Sequence, residues 1–357
     1  MPTFRDDLDA IPTYSPGKPI EEVSRDLGIS EIVKLASNES PVPPFPPVIE
    51  AIAAAGAGAN RYPENSGYYL VNALADRYGL SPDHFWLGMG SSQLINSTAL
   101  AVGGPGTVAV FADPSFVMYP ISTAIAGAAA IEVPLNQDMG HDLDAMAEAI
   151  TDNTTIVYVC NPNNPTGTYV AGAAVRQFVE SVSEDVMVVV DEAYHEYVTA
   201  PDHETMLPLV GSRPNVLVMR TFSKVYGLAG LRIGYAVGQA ETLAALKRAQ
   251  IPFSANVVAQ AAALEALKHD DLVAERAKEN AAGREQIEEG LTARGIEHWP
   301  SQTNFVMLRP PLDSAAFADG LLRRGVIVRP MGAFTRVSVG TNDENERFLA
   351  ACDEVIS

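Results

Sequence analysis

Three short polar tracts and one arginine carry the chemistry this chain can do. They are Asn161-Pro162-Asn163-Asn164-Pro165-Thr166-Gly167, Asp191-Glu192-Ala193-Tyr194 and Thr221-Phe222-Ser223-Lys224, followed by Arg232. Together they supply amides, a carboxylate, a phenol, an amine and a guanidinium. An amine attacks a carbonyl only when unprotonated, and a free lysine with a pKa of about 10.4 rarely is at neutral pH. Burial and nearby positive charge lower that value, and Arg232 contributes to the second. A lone loop lysine is usually a solvated surface group, but the residues flanking Lys224 favour a nucleophile. Asp191 ends the apolar run Val186–Val190, so its carboxylate is expected to be partly desolvated and in need of a cation. A helix cap at a strand–loop junction is the plainer reading of Asp191.

These groups match what is needed to hold pyridoxal 5'-phosphate and use it as an electron sink. Lys224 meets the aldehyde and later carries a proton between the substrate α-carbon and the cofactor C4' carbon. Asp191 pairs with the protonated pyridine nitrogen and keeps the ring cationic. Tyr194 and Asn164 hydrogen-bond the phenolic oxygen, although Asn164 taken alone reads equally well as a turn residue. The phosphate is expected where Gly90-Ser91-Ser92 opens a helix, with Thr221, Ser223 and the fork of Arg232 completing the site. A glycine–serine helix start also serves as a simple cap. Phe116 either stacks on the pyridine ring or belongs to the core, and spacing does not decide between them. Arg336, early in Arg336-Val337-Ser338-Val339-Gly340, suits a substrate carboxylate, with a partly exposed strand arginine as the alternative.

The elements that must position these groups follow from hydrophobic pattern. Val108–Phe111, Ile156–Cys160, Val186–Val190, Val216–Met219 and Ile233–Val237 read as buried strands, with helices predicted over Leu143–Ile150, Ala173–Val182 and Glu241–Ala249. That alternation predicts an α/β fold with a mainly parallel sheet sandwiched by helices. Each polar tract falls just past a strand, at the carboxyl edge where open α/β sheets bind ligands. Beyond Pro252 the pattern changes. Helices over Val257–Leu267, Leu272–Arg294, Ala315–Arg324 and Asn345–Val355, with strands at Asn304–Leu308, Val326–Arg329 and Arg336–Gly340, predict a smaller α+β C-terminal domain. The expected division is an extended, proline-rich N-terminal arm (1–34), a large domain (35–250) and a small domain (251–357).

The chain has 357 residues, 47% hydrophobic and 19% charged, with a formal net charge of −20. It is long enough for two domains and has the composition of a folded globular protein. The carboxylate excess disfavours nucleic acid and anionic membranes as partners. The start, Met1-Pro2-Thr3-Phe4-Arg5-Asp6-Asp7, lacks the basic head and apolar run of a secretory signal. Only Cys160 and Cys352 are present, with no metal-ligand spacing, so a cytoplasmic protein with reduced thiols and no metal is expected.

On these tracts, together with Pro12-Thr13-Tyr14-Ser15-Pro16-Gly17-Lys18, Leu35-Ala36-Ser37-Asn38-Glu39-Ser40, Asn60-Arg61-Tyr62-Pro63 and Thr221–Gly230, the chain resembles the fold-type I pyridoxal-phosphate aminotransferases. Within them it is most similar to the histidinol-phosphate aminotransferase family. The resemblance covers essentially the whole chain. It implies that Lys224 links covalently to the cofactor, that Asp191 binds the pyridine nitrogen, and that Tyr194 and Asn164 bind the phenolic oxygen. It also implies that Tyr62 reaches the phosphate of the neighbouring subunit in a two-fold homodimer. Tyr14, Asn38, Arg329 and Arg336 then line the substrate side. Ser91-Ser92-Gln93 in place of an acidic pair, Ser115-Phe116 in place of Thr-Tyr, the Gln137–Met146 stretch and the short linker Pro330–Thr335 resemble a branch of actinobacterial aromatic aminotransferases. Val225 departs from the small residue usual after the lysine.

The function this resemblance implies is exchange of an amino group between an aromatic amino acid or histidinol phosphate and the 2-oxoglutarate/glutamate pair. A decarboxylase or lyase on the same scaffold is the alternative, since the bond held perpendicular to the ring is the one that breaks. A ligand-sensing regulator with an aminotransferase-like domain is a third reading, disfavoured by the acidic charge.

Overall fold

The computed structural model describes residues 8–11 and 17–356. β1 (Val33–Lys34) precedes a seven-stranded sheet built from β2 (Phe85–Gly88), β3 (Val108–Asp113), β4 (Ala129–Pro134), β5 (Thr154–Cys160), β6 (Met187–Asp191), β7 (Val216–Thr221) and β8 (Gly234–Val237). Its order is β2-β8-β7-β6-β5-β3-β4. Neighbouring strands run parallel from β7 to β4, and β8 alone is reversed, antiparallel to both β7 and β2. Alternate residues of the same strands face opposite cores. Val157, Val159, Val188, Val190, Val216 and Val218 face one cluster, while Ile156, Tyr158, Val189, Leu217 and Met219 face the other. A sheet apolar on both faces must be covered on both, which explains the unbroken apolar runs in its strands.

The five strands predicted from pattern are present. β2 and β4 went unread. β2 is only four residues long, and β4 is an alanine-rich edge strand with most of its side chains exposed, so it lacks the β-branched run that marks a buried strand.

The second sheet comprises β9 (Glu297–His298), β10 (Phe305–Arg309), β12 (Arg329–Met331) and β13 (Phe334–Ser338), in the order β12-β13-β10-β9, while β11 (Val326–Ile327) pairs elsewhere. The stretch read as one strand over Val326–Arg329 is therefore two. Val326 and Ile327 pair in parallel with Val33 and Lys34, whereas Arg329 crosses to pair with Arg336. The segment read as an extended arm contains a helix, Ile20–Leu27. Ile20, Val23 and Leu27 share one face, Glu21 and Glu22 sit in its first turn, and Gly28 ends it at φ 67°.

Packing divides the core without regard to chain order. Ala259, Ala262, Ala263 and Ala266 of helix Val257–Ala266 belong to the core of the seven-stranded sheet, and Val33 and Leu35 to that of the four-stranded one. Helix Asp270–Ala293 runs from one core to the other, contributing Val273 to the first and Ile287 and Leu291 to the second.

Candidate active site

Because β3, β5, β6 and β7 are parallel, the loops that follow them emerge on one edge, and β2 delivers a helix start to the same place. A cavity of about 770 Å³ lies there, closed by the β12–β13 face of the small sheet.

At one end, β2 runs through Gly88 and Met89 into helix Gly90–Val102. Gly90 has φ 73°, and a Cβ on it would come within 2.6 Å of Arg232 Nη2. Only glycine lets the guanidinium lie against the helix start. Arg232 itself sits at φ 58° and donates through Nη1 to the Ala229 carbonyl at 3.0 Å. No carboxylate among the described residues pairs with it. Thr221 donates its hydroxyl to Ser223 Oγ at 3.0 Å and accepts from the Ser223 N–H at 3.1 Å. With Ser91 and Ser92 they line the cavity. Four hydroxyls, a guanidinium free of carboxylate partners among the described residues and a helix N-terminus make a site for a phosphate dianion.

At the other end Asp191 is 2% exposed. Its Oδ1 accepts from the Ala193 N–H at 3.1 Å, and its Oδ2 accepts from the Tyr119 hydroxyl at 3.0 Å. Burial raises its pKa to about 6, opposed by those two hydrogen bonds and by the charge of Lys224. A carboxylate so placed is completed by a cation, such as a protonated pyridine nitrogen.

Lys224 lies between the two ends. Its Nζ donates to the Asn38 carbonyl at 3.3 Å and sits 5.5 Å from the centre of the Tyr194 ring. Burial first, then the positive charges of Arg336 and Arg232, lower its pKa to about 8. The buried Tyr194 hydroxyl, whose pKa burial pushes up, accepts from Asn38 Nδ2 at 3.0 Å. Asn38 is at φ 54°, pinned by Ser338 Oγ accepting from its N–H at 2.8 Å and by Asn304 Nδ2 donating to its carbonyl at 3.0 Å. Arg336 donates to Asn164 Oδ1 at 2.6 Å and to the Ala36 carbonyl at 3.1 Å, with its guanidinium over the Phe305 ring.

Of the residues singled out from sequence, Asn38, Ser91, Ser92, Phe116, Asn164, Asp191, Tyr194, Thr221, Ser223, Lys224, Arg232, Arg329 and Arg336 all line this one cavity. Phe116 lines it while also packing edge-on against Tyr119 at 5.7 Å, so its two readings are compatible. Tyr62 does not line the cavity. It is 83% exposed and stacked on Phe253. Tyr14 lies outside the described residues. Tyr119, Ser338 and Asn304 were not anticipated. Burial of Asp191 called for a donor, but nothing local in the sequence marks Tyr119 as that donor.

The family model for aminotransferase class I and II matches residues 30–351, and the chain belongs to that family. It is 40% identical to a histidinol-phosphate aminotransferase of Moorella thermoacetica, over 100% of this chain and 94% of that one. It is 42% identical to an aromatic amino acid aminotransferase of Streptomyces coelicolor, over 99% and 97%. Among solved structures it superposes with a TM-score of 0.91 on histidinol-phosphate aminotransferase from Sinorhizobium meliloti, crystallised in complex with pyridoxal-5'-phosphate, at 29% identity over 99% of this chain and 97% of that one.

Proposed function

We propose that this protein is a pyridoxal-phosphate-dependent aminotransferase. It exchanges an amino group between an aromatic amino acid or histidinol phosphate and the 2-oxoglutarate/glutamate pair. The observation that carries the reading is one cavity in which a depressed amine (Lys224), a buried carboxylate lacking a cation of its own (Asp191) and an anion cradle (Gly90, Arg232) stand apart, as the aldehyde, ring nitrogen and phosphate of one cofactor require. When bound, the cofactor withdraws electrons from the substrate α-carbon as its proton leaves.

The residues divide that work. Lys224, neutral in a substantial fraction near pH 8, serves as nucleophile and then moves the α-proton. Asp191 holds a proton on the ring nitrogen, and Tyr194 with Asn164 positions the phenolic oxygen. Phe116 covers one face of the ring. Ser91, Ser92, Thr221, Ser223 and Arg232 bind the phosphate. Arg336 binds the substrate carboxylate, while Arg329 and Asn38 line the substrate side and Tyr14 belongs there by resemblance. The exposed Tyr62–Phe253 pair supports a homodimer in which Tyr62 reaches the partner's phosphate. Two buried, unpaired thiols fit a cytoplasmic location. Because Ala259, Ala262, Ala263 and Ala266 pack in the large core, the divide between the two domains is proposed to lie later than residue 250, within helix Asp270–Ala293, with residues 33–35 joining the small one.

The test is an amino-donor panel with 2-oxoglutarate that includes histidinol phosphate, phenylalanine and tyrosine, run on the wild type and on Lys224→Ala. One donor class is expected to dominate, and the variant is expected to lose turnover together with the visible absorbance of lysine-linked cofactor. A Lys224→Ala protein with intact activity refutes the assignment.

A further inference from the structure

Asp191 is held by a residue to which the reading above gives no role. Tyr119, in helix Met118–Ala126, is fully buried, and its hydroxyl donates to Asp191 Oδ2. Its ring is clamped. Tyr158 stacks on it at 4.5 Å with 14° between planes, and Phe116, which lines the cavity, packs edge-on from another side. The Tyr158 hydroxyl is equally buried yet has no hydrogen-bond partner among the described residues. The stack therefore tolerates an idle hydroxyl, whereas that of Tyr119 is aimed at the carboxylate.

We propose that Tyr119 is a positioning residue for the reaction: its hydroxyl fixes Asp191 Oδ2, keeps the carboxylate ionised, and so keeps the proton on the ring nitrogen of bound pyridoxal phosphate. The inference rests on the cofactor reading above. In a site shielded from water, the proton shared by a carboxylate and a pyridine goes to the more basic partner, and each donor to the carboxylate lowers its basicity. The other groups facing Asp191 do not do this work. Cys160, at the end of β5, is held neutral because burial raises its thiol pKa. Lys224 is committed to the aldehyde, and Glu192 is paired with Arg220. The remaining donor, the Ala193 N–H, is on Oδ1 and cannot be tuned by a side chain.

The experiment uses holoenzyme reconstituted with pyridoxal phosphate carrying 15N in the ring, in the wild type, Tyr119→Phe and Tyr158→Phe. It reads the ring 15N resonance against pH and the cofactor dissociation constant. In Tyr119→Phe the ring 15N resonance at neutral pH is expected to move towards the unprotonated pyridine position, as the proton passes to a more basic carboxylate, and the dissociation constant to rise about tenfold, as for loss of one hydrogen bond to a charged group. Tyr158→Phe removes a hydroxyl from the same stack and is expected to match the wild type. Site-specific 3-fluorotyrosine at 119, a stronger donor of nearly the same shape, should move the resonance towards the protonated position and tests the idea even if Tyr119→Phe folds poorly. An unchanged Tyr119→Phe resonance, or an equal shift in Tyr158→Phe, overturns the proposal. A wild type that shows no bound-ring resonance overturns the cofactor reading and this inference with it.

Discussion

The sharpest consequence of the site concerns the protonation of Lys224. Its pKa falls from 10.5 to about 8, with burial as the largest cause, Arg336 next and Arg232 third. At pH 7 an amine of pKa 8 is roughly one-tenth neutral, against about 0.03% for a free lysine side chain, a ratio of about 300 in reactive amine. The rate at which cofactor-free protein captures pyridoxal phosphate, followed by absorbance and normalised to a blocked lysine in solution, should rise with pH to a midpoint near 8. Arg336→Gln removes the second cause and leaves the first, so the midpoint should move up without reaching 10.5. A wild-type midpoint above 10 refutes the argument. A variant midpoint at 10.5 would mean that burial is not the leading cause, and an unmoved one that Arg336 does not act on Lys224. The same shift has a cost in stability. The folded-state pKa lies below the unfolded one, so the penalty is present in full below pH 8 and fades between 8 and 10.5. It amounts to about 3 kcal/mol, and Lys224→Met should therefore raise the melting temperature of the cofactor-free protein at pH 7 but not at pH 11.

Two further outcomes test the surroundings. Arg336→Ala should raise KM for glutamate by about 10- to 150-fold, the worth of a charge-assisted pair, and an unchanged KM removes Arg336 from the substrate site. Behind the cavity, Arg220 donates to Glu192 Oε2 at 3.0 and 2.8 Å with both side chains buried. Glu192→Gln leaves that guanidinium unpaired and should cost about 3–5 kcal/mol of stability in urea unfolding, whereas a wild-type unfolding curve would show the pair to be dispensable. Burial alone would raise the Glu192 pKa, but the charge of Arg220 with the hydrogen bonds Glu192 accepts outweighs it and leaves the pKa depressed, so its contribution is present above the ordinary carboxylate range and lost as pH falls through the depressed value.

Strand ends were legible because each polar tract terminates a β-branched run, and a parallel sheet sends such ends to one edge. That logic placed Asn164, Asp191 and Lys224 together from pattern alone. It could not reach contacts made across the cleft. Asn38 and Ser338 lie 300 positions apart, and their hydrogen bond depends on how the small sheet docks, which no local period encodes. Nor could it find Tyr119, because nothing local in its helix marks which hydroxyl points at Asp191. Helix Ile20–Leu27 was masked by neighbouring prolines, although its apolar residues carry the helical spacing. The split between β11 and β12 is set by two different partners competing for one short apolar segment.

The electrostatics of the cavity make sense only as half of a larger assembly. Burial pushes Lys224 down to about 8 and Asp191 up to about 6, so each charged form is held at a cost to the fold. Among the described residues neither has an ion-pair partner within the cavity, whereas Glu192, as buried as Asp191, does in Arg220. Arg232 likewise faces the helix start with no carboxylate among the described residues pairing with it. A ligand bringing a carbonyl, a protonated ring nitrogen and a phosphate relieves the penalties at Lys224 and Asp191 and gives the exposed Arg232 an anion. Its binding energy therefore includes what the empty fold gives up, and stability gained on binding scales with ligand concentration over the dissociation constant. The strained pieces are then consistent with one purpose: left-handed Asn38 and Arg232, and Gly90 where a Cβ would strike the guanidinium, are costs carried by the fold to keep those three positions open.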